Sequence, residues 1–397
     1  MIHAGLYYER GSAKARLCVP GRDALYAYCA DRGVTARRVG KLVVATQDSQ
    51  LPKLEALAKR ATANGVQDLV WLNGAADVAA VEPQVRGVAG LWSPSTGVVD
   101  SHGFMLALQA DAEAHGAIVA LNTKLISGRR EGESWILDTA TTSSTGGSSN
   151  SNSNSSSSNS GSSSDNSDGS IIGKSNAVPS FSLQCNTVVN CAGLAASEVA
   201  LALGCAPHTV PRTYLAKGNY FALQGVPPPF TKLVYPLPEA AGLGVHATVD
   251  LGGRVRFGPD VEWVPNQHTS PSSSSSPNSS LYSVDPSRAA SFYGEVRKYW
   301  PYLPDDALVP DYAGLRPKLH GPPAGEGQPQ VATDFFFQGP KLRSSYVASN
   351  EIGSGLSTRA FQGHGLPGLV NLLGFESPGL TASLAIADEV DLVLQDT

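Results

Sequence analysis

Apolar and polar positions repeat along this 397-residue chain with two different periods. Residues 21–33 put Leu25, Tyr28 and Cys29 on one side of a 3.6-residue repeat and predict a helix. Residues 41–46, Lys-Leu-Val-Val-Ala-Thr, form a short apolar run that predicts a strand. A helical pattern over 50–64 stops at Gly65, and Val70-Trp71-Leu72 predicts a short strand. A helix over 101–115 ends at Gly116, and Ile118-Val119-Ala120-Leu121 predicts the strand after it. Trp135-Ile136-Leu137 and Phe181-Ser182-Leu183 are sheet-like segments on either side of a long polar stretch. Val188 and Val189 continue a strand into Ala192-Gly193, and residues 194–203 suit a helix. Residues 212–223, 243–249 and 254–259 predict antiparallel strands, the last two joined through Gly252-Gly253 as a two-residue hairpin. Asp285-Pro286 opens a helix over 285–300. Residues 368–373 predict a strand and 377–394 a closing helix. The mixture predicts an α/β (α+β mixed) fold with a large mixed sheet and a substrate-covering part.

Composition changes that picture in two places. Charged residues are only 16% of the chain, against roughly 25% in an average soluble protein. Ser, Asn and Gly replace them, concentrated at 141–175 and 266–281. Such stretches bury too little surface to offset their ordering entropy, so both are predicted to be disordered insertions. Gly321 to Gln328 and Ser344 to Gly365 predict further surface loops. The charge balance, 29 Lys and Arg against 34 Asp and Glu, gives −5 with no basic run, which excludes a nucleic-acid partner. No apolar stretch approaches the ~18 residues of a spanning helix. Cys18, Cys29, Cys185, Cys191 and Cys205 are scattered, without C-x-x-C or zinc spacing, so free thiols and no metal are expected. Residues 1–20 show neither a signal core nor a transit-peptide helix.

Four segments could carry chemistry. Gly368 to Thr381 runs from apolar strand through a short loop into a helix, with Ser377 as N-cap and Pro378 as first helical residue. A helix start aims free N–H groups and a positive dipole end at an anionic ligand, although an ordinary capped helix reads the same way. Thr187 to Leu194 ends a strand in small residues, which permits close approach by a nucleotide or close helix packing. In Gly314-Leu315-Arg316-Pro317-Lys318, a rigidly held Arg316 could fork onto a substrate carboxylate or join a surface ion pair. His246 leads the predicted hairpin among apolar partners, where a neutral imidazole could take a hydroxyl proton or simply sit in the core. Gly242 to Ala247 and Gly363 to Gly368 match glycine fingerprints by spacing only, since neither follows a strand and opens a helix.

Together with Ile2-His3-Ala4-Gly5-Leu6-Tyr7-Tyr8, Gly40 to Thr46, Ser93 to Ser101, Leu215 to Phe221 and Gly258-Pro259-Asp260, these segments resemble one family. It is the FAD-dependent L-2-hydroxyglutarate dehydrogenase family, of the D-amino-acid-oxidase type. The family pattern opens with a strand, G-x-G-x-x-G and helix that Met1 has already passed, so a truncated form of that fold is expected. The resemblance divides the chain into an FAD-binding part (1–40, 93–137, 181–210 and 330–397) and an antiparallel-sheet substrate part (41–92 and 211–329). It implies oxidation of L-2-hydroxyglutarate to 2-oxoglutarate with FAD as cofactor. Electrons would then pass to a quinone or an electron-transfer flavoprotein. It implies a mitochondrial location and leaves peripheral membrane association open. On this resemblance His246 is the base and Arg316 the α-carboxylate clamp, with Lys217, Tyr235 and Lys318 as candidates for the second carboxylate. His3, Ala4 and Gly5 would lie near the isoalloxazine, and Gly374, Ser377, Gly379, Leu380 and Thr381 would hold its pyrimidine edge. Ala192 and Gly193 would approach the dinucleotide. A sister flavin enzyme, of the glycerol-3-phosphate dehydrogenase or amino-acid oxidase type, and an inactive short form remain as alternatives.

Overall fold

The structure, a computed structural model, describes residues 1–141, 180–237, 244–265, 281–322, 334–341 and 363–395. The chain begins with α1 (Ala13–Asp31), β1 (Ala36–Arg37), β2 (Lys41–Ala45), α2 (Leu51–Ala63), β3 (Val70–Asn73), α3 (Gly74–Val81), β4 (Ala89–Ser93), β5 (Val98–Val99) and α4 (Ser101–Ala114). It continues through β6 (Thr123–Glu131), β7 (Ser134–Thr141), β8 (Phe181–Cys185), β9 (Val188–Asn190) and α5 (Ala196–Ala202). Then come β10 (Tyr214–Leu223), β11 (Leu233–Pro236), β12 (His246–Val249), β13 (Val255–Gly258), β14 (Glu262–Trp263), α6 (Ala289–Arg297) and β15 (Leu308–Lys318). The last elements are β16 (Phe336–Gln338), β17 (Leu369–Leu373) and α7 (Gly379–Gln395).

A nine-stranded sheet dominates, ordered β14-β10-β13-β12-β11-β2-β4-β3, with β15 also paired to β10. Its contacts are antiparallel except for β11 against β2. The period of two gives this sheet two different faces. Leu42, Val44, Val234, Ala247, Val249, Val255 and Phe257 point into one apolar core with Phe221, Phe292 and Trp300. The residues between them (Lys41, Tyr235, His246, Thr248 and Arg256) therefore share the opposite face. Three smaller sheets stand apart: the antiparallel pair β1-β5, the antiparallel β6-β7-β8 and the mixed β9-β17-β16. In the sheet of β9, β17 and β16, a buried row of amides crosses the strands at one level. Asn190 Nδ2 donates to Asn371 Oδ1 at 2.8 Å, and Asn371 Nδ2 donates to Gln338 Oε1 at 3.1 Å. Gln338 Nε2 in turn donates to the carbonyl of Thr209 at 2.6 Å.

Several predicted elements shift. The first helix starts at Ala13, not at 21, because Ser12 caps it by accepting from Ala15 N and Asp334 accepts from the amides of Ala13 and Lys14. Pro20 sits inside it and forfeits one hydrogen bond, which is why the pattern reads as a boundary there. Gly21 beside it permits a close crossing with α7, since a Cβ would lie 2.6 Å from Ala382 Cα. Ile118 to Leu121 form no strand: the segment pairs with no described strand, and Ile118 is 91% exposed. The hairpin between β12 and β13 turns over three residues, not two. Asp250 N donates to Arg254 O, Gly253 takes φ +82°, and the Asp250 carboxylate accepts from the amides of Gly252 and Arg254. The helix predicted over 285–300 is α-helical only from Ala289 to Arg297, entered by a 3-10 turn over Pro286–Arg288 that Asp285 caps. Apart from Thr141 and Leu281, the two Ser-rich segments lie outside the described residues, as does most of the two predicted loops.

All five cysteines are free; Cys18, Cys29 and Cys205 are buried, whereas Cys191 is exposed.

Candidate active site

A cavity of about 1580 Å³ opens against the polar face of the large sheet. Strand register brings its first wall together. His246 on β12 faces Gly258 on β13, Thr248 faces Arg256, and Val234↔Ala247 sets β11 beside β12. The Tyr235 and His246 rings consequently stack at 3.6 Å with 13° between their planes. On the neighbouring strands, Tyr220 of β10 stacks on Tyr312 of β15 at 4.5 Å. Arg316, two turns of the strand period beyond Tyr312, lines the same wall.

The opposite wall is the N-terminal segment packed on the start of α7. Ile2 bridges to Gly97 through two backbone hydrogen bonds, which fixes His3 at the cavity. The amide of His3 donates to Thr381 Oγ1 at 3.1 Å, and its Nε2 lies 2.9 Å from Ser377 Oγ. The first-turn amides of Leu380 and Thr381 have no residue one turn back within α7 to bond, so the positive end of this helix faces the cavity. A Cβ on Gly379 or Gly193 would meet nothing within 4 Å, which leaves the backbone open there to a ligand. The Ser383 hydroxyl, also at the cavity, is buried without a hydrogen-bond partner among the described residues. An orphaned hydroxyl, open glycines and a helix start in a cavity this large fit a flavin cofactor.

The cations around the cavity fall into two sets. Arg254 and Arg256 are committed to Asp250, and Arg256 also to Asp311. Lys14 and Lys318 share the Glu376 carboxylate at 3.2 and 2.7 Å. Burial opposes ionisation of Glu376, yet the two ammonium groups outweigh it and hold its carboxyl below the ordinary value. In contrast, Arg316 makes no hydrogen bond or ion pair among the described residues. Lys41 is likewise unpaired. It is 1% exposed, and its ammonium sits 4.5 Å from the centre of the Tyr235 ring and 5.0 Å from that of Tyr7. Burial lowers Lys41 to about 8. Burial, then Lys41 and Arg316, lower His246 to about 3. The same causes, burial first, hold His3 well below its ordinary value. Both imidazoles are therefore neutral near pH 7 and able to accept a proton. His246 makes no hydrogen bond among the described residues, whereas the Nε2 of His3 already faces Ser377.

Of the residues singled out from sequence, His3, Tyr235, His246 and Arg316 line the cavity. Gly193, Ser377, Gly379, Leu380 and Thr381 line it as well. The structure puts the others elsewhere. Lys217 Nζ donates to the Ser283 carbonyl at 2.6 Å and approaches Glu262, away from the cavity. Lys318 is held by Glu376 behind the wall. Ala4 is a core residue beside Leu6, and Gly5 (φ +100°) packs on Val19. Ala192 is exposed, its amide donating to Asn190 Oδ1, and Gly374 packs against Leu319. Sequence reasoning gave Lys41 no role, and the signal was available: a lysine inside the fully buried run Lys41–Ala45.

Comparison with known proteins agrees with this arrangement. The sequence model of the family described as FAD dependent oxidoreductase matches residues 1–391. The mitochondrial L-2-hydroxyglutarate dehydrogenase of Arabidopsis thaliana is 39% identical over 98% of this chain and 73% of its own length. The Homo sapiens protein of the same name is 30% identical over 66% of this chain, which spans only 50% of that protein. Among solved structures, L-alpha-glycerophosphate oxidase from Mycoplasma pneumoniae superposes with a TM-score of 0.69 at 18% identity, over 99% of this chain and 83% of that one. Glycine oxidase from Geobacillus kaustophilus gives 0.63 at 15% identity, over 100% and 83%. These two likenesses concern the fold alone.

Proposed function

The chain belongs to the family of FAD dependent oxidoreductases, and we propose that it oxidises L-2-hydroxyglutarate to 2-oxoglutarate. The observation that carries this reading is an unpaired Arg316 guanidinium beside a neutral, unbonded His246 in one cavity. Arg316 forks onto the α-carboxylate and orients the hydroxyl-bearing carbon. His246 accepts the hydroxyl proton as the carbonyl forms. Its stacking on Tyr235 fixes the ring plane, so the proton acceptor is positioned before substrate arrives. A carboxylate seated on Arg316 also cancels part of the field that lowers His246 and makes the imidazole a better base. FAD, when bound, supplies the hydride acceptor for the α-carbon. His3, Ser377, Gly379, Leu380 and Thr381 would hold its flavin edge, with Gly193 near the dinucleotide.

The division into parts follows the same logic. The strands within 41–92 and 211–329 would form the substrate part, and 1–40, 93–137, 181–210 and 330–397 the FAD-binding part. The names of the relatives, mitochondrial dehydrogenases, support a mitochondrial location. The electrons would pass on to a quinone or an electron-transfer flavoprotein. The test is anaerobic addition of L-2-hydroxyglutarate to the FAD-loaded protein. The flavin absorbance should bleach, and 2-oxoglutarate should appear in equal amount. Bleaching by glycerol 3-phosphate or an amino acid, with none by L-2-hydroxyglutarate, would refute the substrate and favour a sister oxidoreductase.

A further inference from the structure

A buried ammonium without an anionic partner is expensive, and a folded chain keeps one only where the partner arrives later or where the site needs the charge. Lys41 is such a group. Its side chain rises from the strand face that also carries Tyr235, and its ammonium lies between the Tyr7 and Tyr235 rings. Both rings line the cavity, and Tyr235 stacks directly on His246. Lys41 itself lies directly behind these two rings, outside the cavity lining. Of the other cations in the lining or behind it, those described above apart from Arg316 already have a carboxylate: Asp250 and Asp311 for Arg254 and Arg256, Glu376 for Lys14 and Lys318. Two uncommitted cations on one face of one sheet match two carboxylates on one small acid.

We propose that Lys41 is the counter-charge for the distal carboxylate, so that it selects dicarboxylate over monocarboxylate 2-hydroxy acids of the same chain length. The inference deepens the functional reading and rests on it for the identity of the acid. Lys217 and Lys318, the lysines that the sequence pointed to, cannot fill this role without breaking the pairs they already make. The aromatic frame supports a charge role. Two ring faces stabilise an ammonium in the absence of ligand without neutralising it, so the charge stays available.

The experiment compares FAD-loaded wild type with Lys41→Met, using 2-oxoglutarate and 2-oxovalerate, which have equal length and differ by one carboxylate. Binding is read by titration calorimetry, and FAD content is measured alongside. Lys41→Met should weaken 2-oxoglutarate by about 30-fold or more and leave 2-oxovalerate within about twofold, with FAD content unchanged. Equal weakening of both acids, or unchanged 2-oxoglutarate binding, would overturn the proposal. So would a fall in FAD content with the ratio of the two acids preserved, because Lys41 would then serve the cofactor. Lys41→Gln provides the same comparison if the methionine variant does not fold. Wild type that is reduced by L-2-hydroxyglutarate while Lys41→Met keeps its dicarboxylate preference overturns this inference alone. Wild type that prefers 2-oxoglutarate through Lys41 but is not reduced by L-2-hydroxyglutarate refutes the catalytic reading alone.

Discussion

Lys41→Met should make the protein more stable at neutral pH, and the size follows from the site. Burial lowers Lys41 from 10.5 to about 8. At about 1.4 kcal/mol per pH unit, carrying that proton in the folded state costs about 3 kcal/mol. The Tyr7 and Tyr235 rings return roughly 1 kcal/mol or slightly more between them, so removing the charge should yield about 1–2 kcal/mol. The sign has a pH signature. Below pH 8 the lysine is protonated in both states, and the full penalty applies. Between 8 and 10.5 the unfolded chain still binds the proton and the folded one does not, so wild type gains stability as pH rises. Near pH 10.5 the advantage of the variant should therefore shrink by roughly 2–3 kcal/mol. Denaturant unfolding of both proteins at pH 7 and pH 10.5, at the same saturating FAD, measures this directly. A variant that is less stable at pH 7, or a difference that ignores pH, would refute the picture of a charged, unpaired lysine. A residue that costs stability and is nevertheless present marks a site shaped by its ligand.

Four other outcomes are expected. Arg316→Ala should weaken 2-oxoglutarate binding by several kcal/mol with little change in melting temperature, since Arg316 pairs with no described residue; unchanged affinity would remove the clamp. His246→Ala should slow flavin reduction by ~10²-fold or more in single-turnover mixing, and an unchanged rate would eliminate it as the base. His246, lowered to about 3, contributes stability that is present above pH 6.5 and lost as pH falls toward 3. Wild type should therefore lose about 2 kcal/mol more than His246→Gln between pH 6.5 and 5, and parallel acid-unfolding curves would contradict this. Gly21→Ala forces a Cβ onto Ala382 and Thr381, so it should cost about 1–3 kcal/mol and loosen FAD binding through the displaced start of α7, read by unfolding and cofactor release.

Much of the frame was legible because apolar runs bounded by glycine are local signals: Lys41–Ala45, Leu51–Ala63 and Leu369–Leu373 fall where the pattern puts them. The misses need information from elsewhere in the chain. The first turns of α1 depend on Asp334, more than three hundred residues away, to satisfy their amides. Ile118 to Leu121 have strand composition, but strand composition without a pairing edge makes no strand. The same limit applies at the site. His246 and Arg316 could be picked out as residue types in a favourable setting. Which lysines are free to meet a substrate depends on whether Ser283, Glu262 or Glu376 has already engaged them.

The row of amides across β9, β17 and β16 acts as a proofreader of assembly. Apolar strands such as β17, buried along their whole length, would pair almost equally well one residue out of step, because any offset still buries leucine and valine. Asn190, Asn371 and Gln338 break that degeneracy. A one-residue slip turns Asn371 to the other face and breaks its hydrogen bonds to Asn190 and Gln338, at about 1–3 kcal/mol for each buried polar group left unpaired. Losing both bonds costs a large fraction of the margin by which a protein stays folded. Only one alignment survives, and it fixes where Leu373 ends and hence the height at which α7 begins above the cavity.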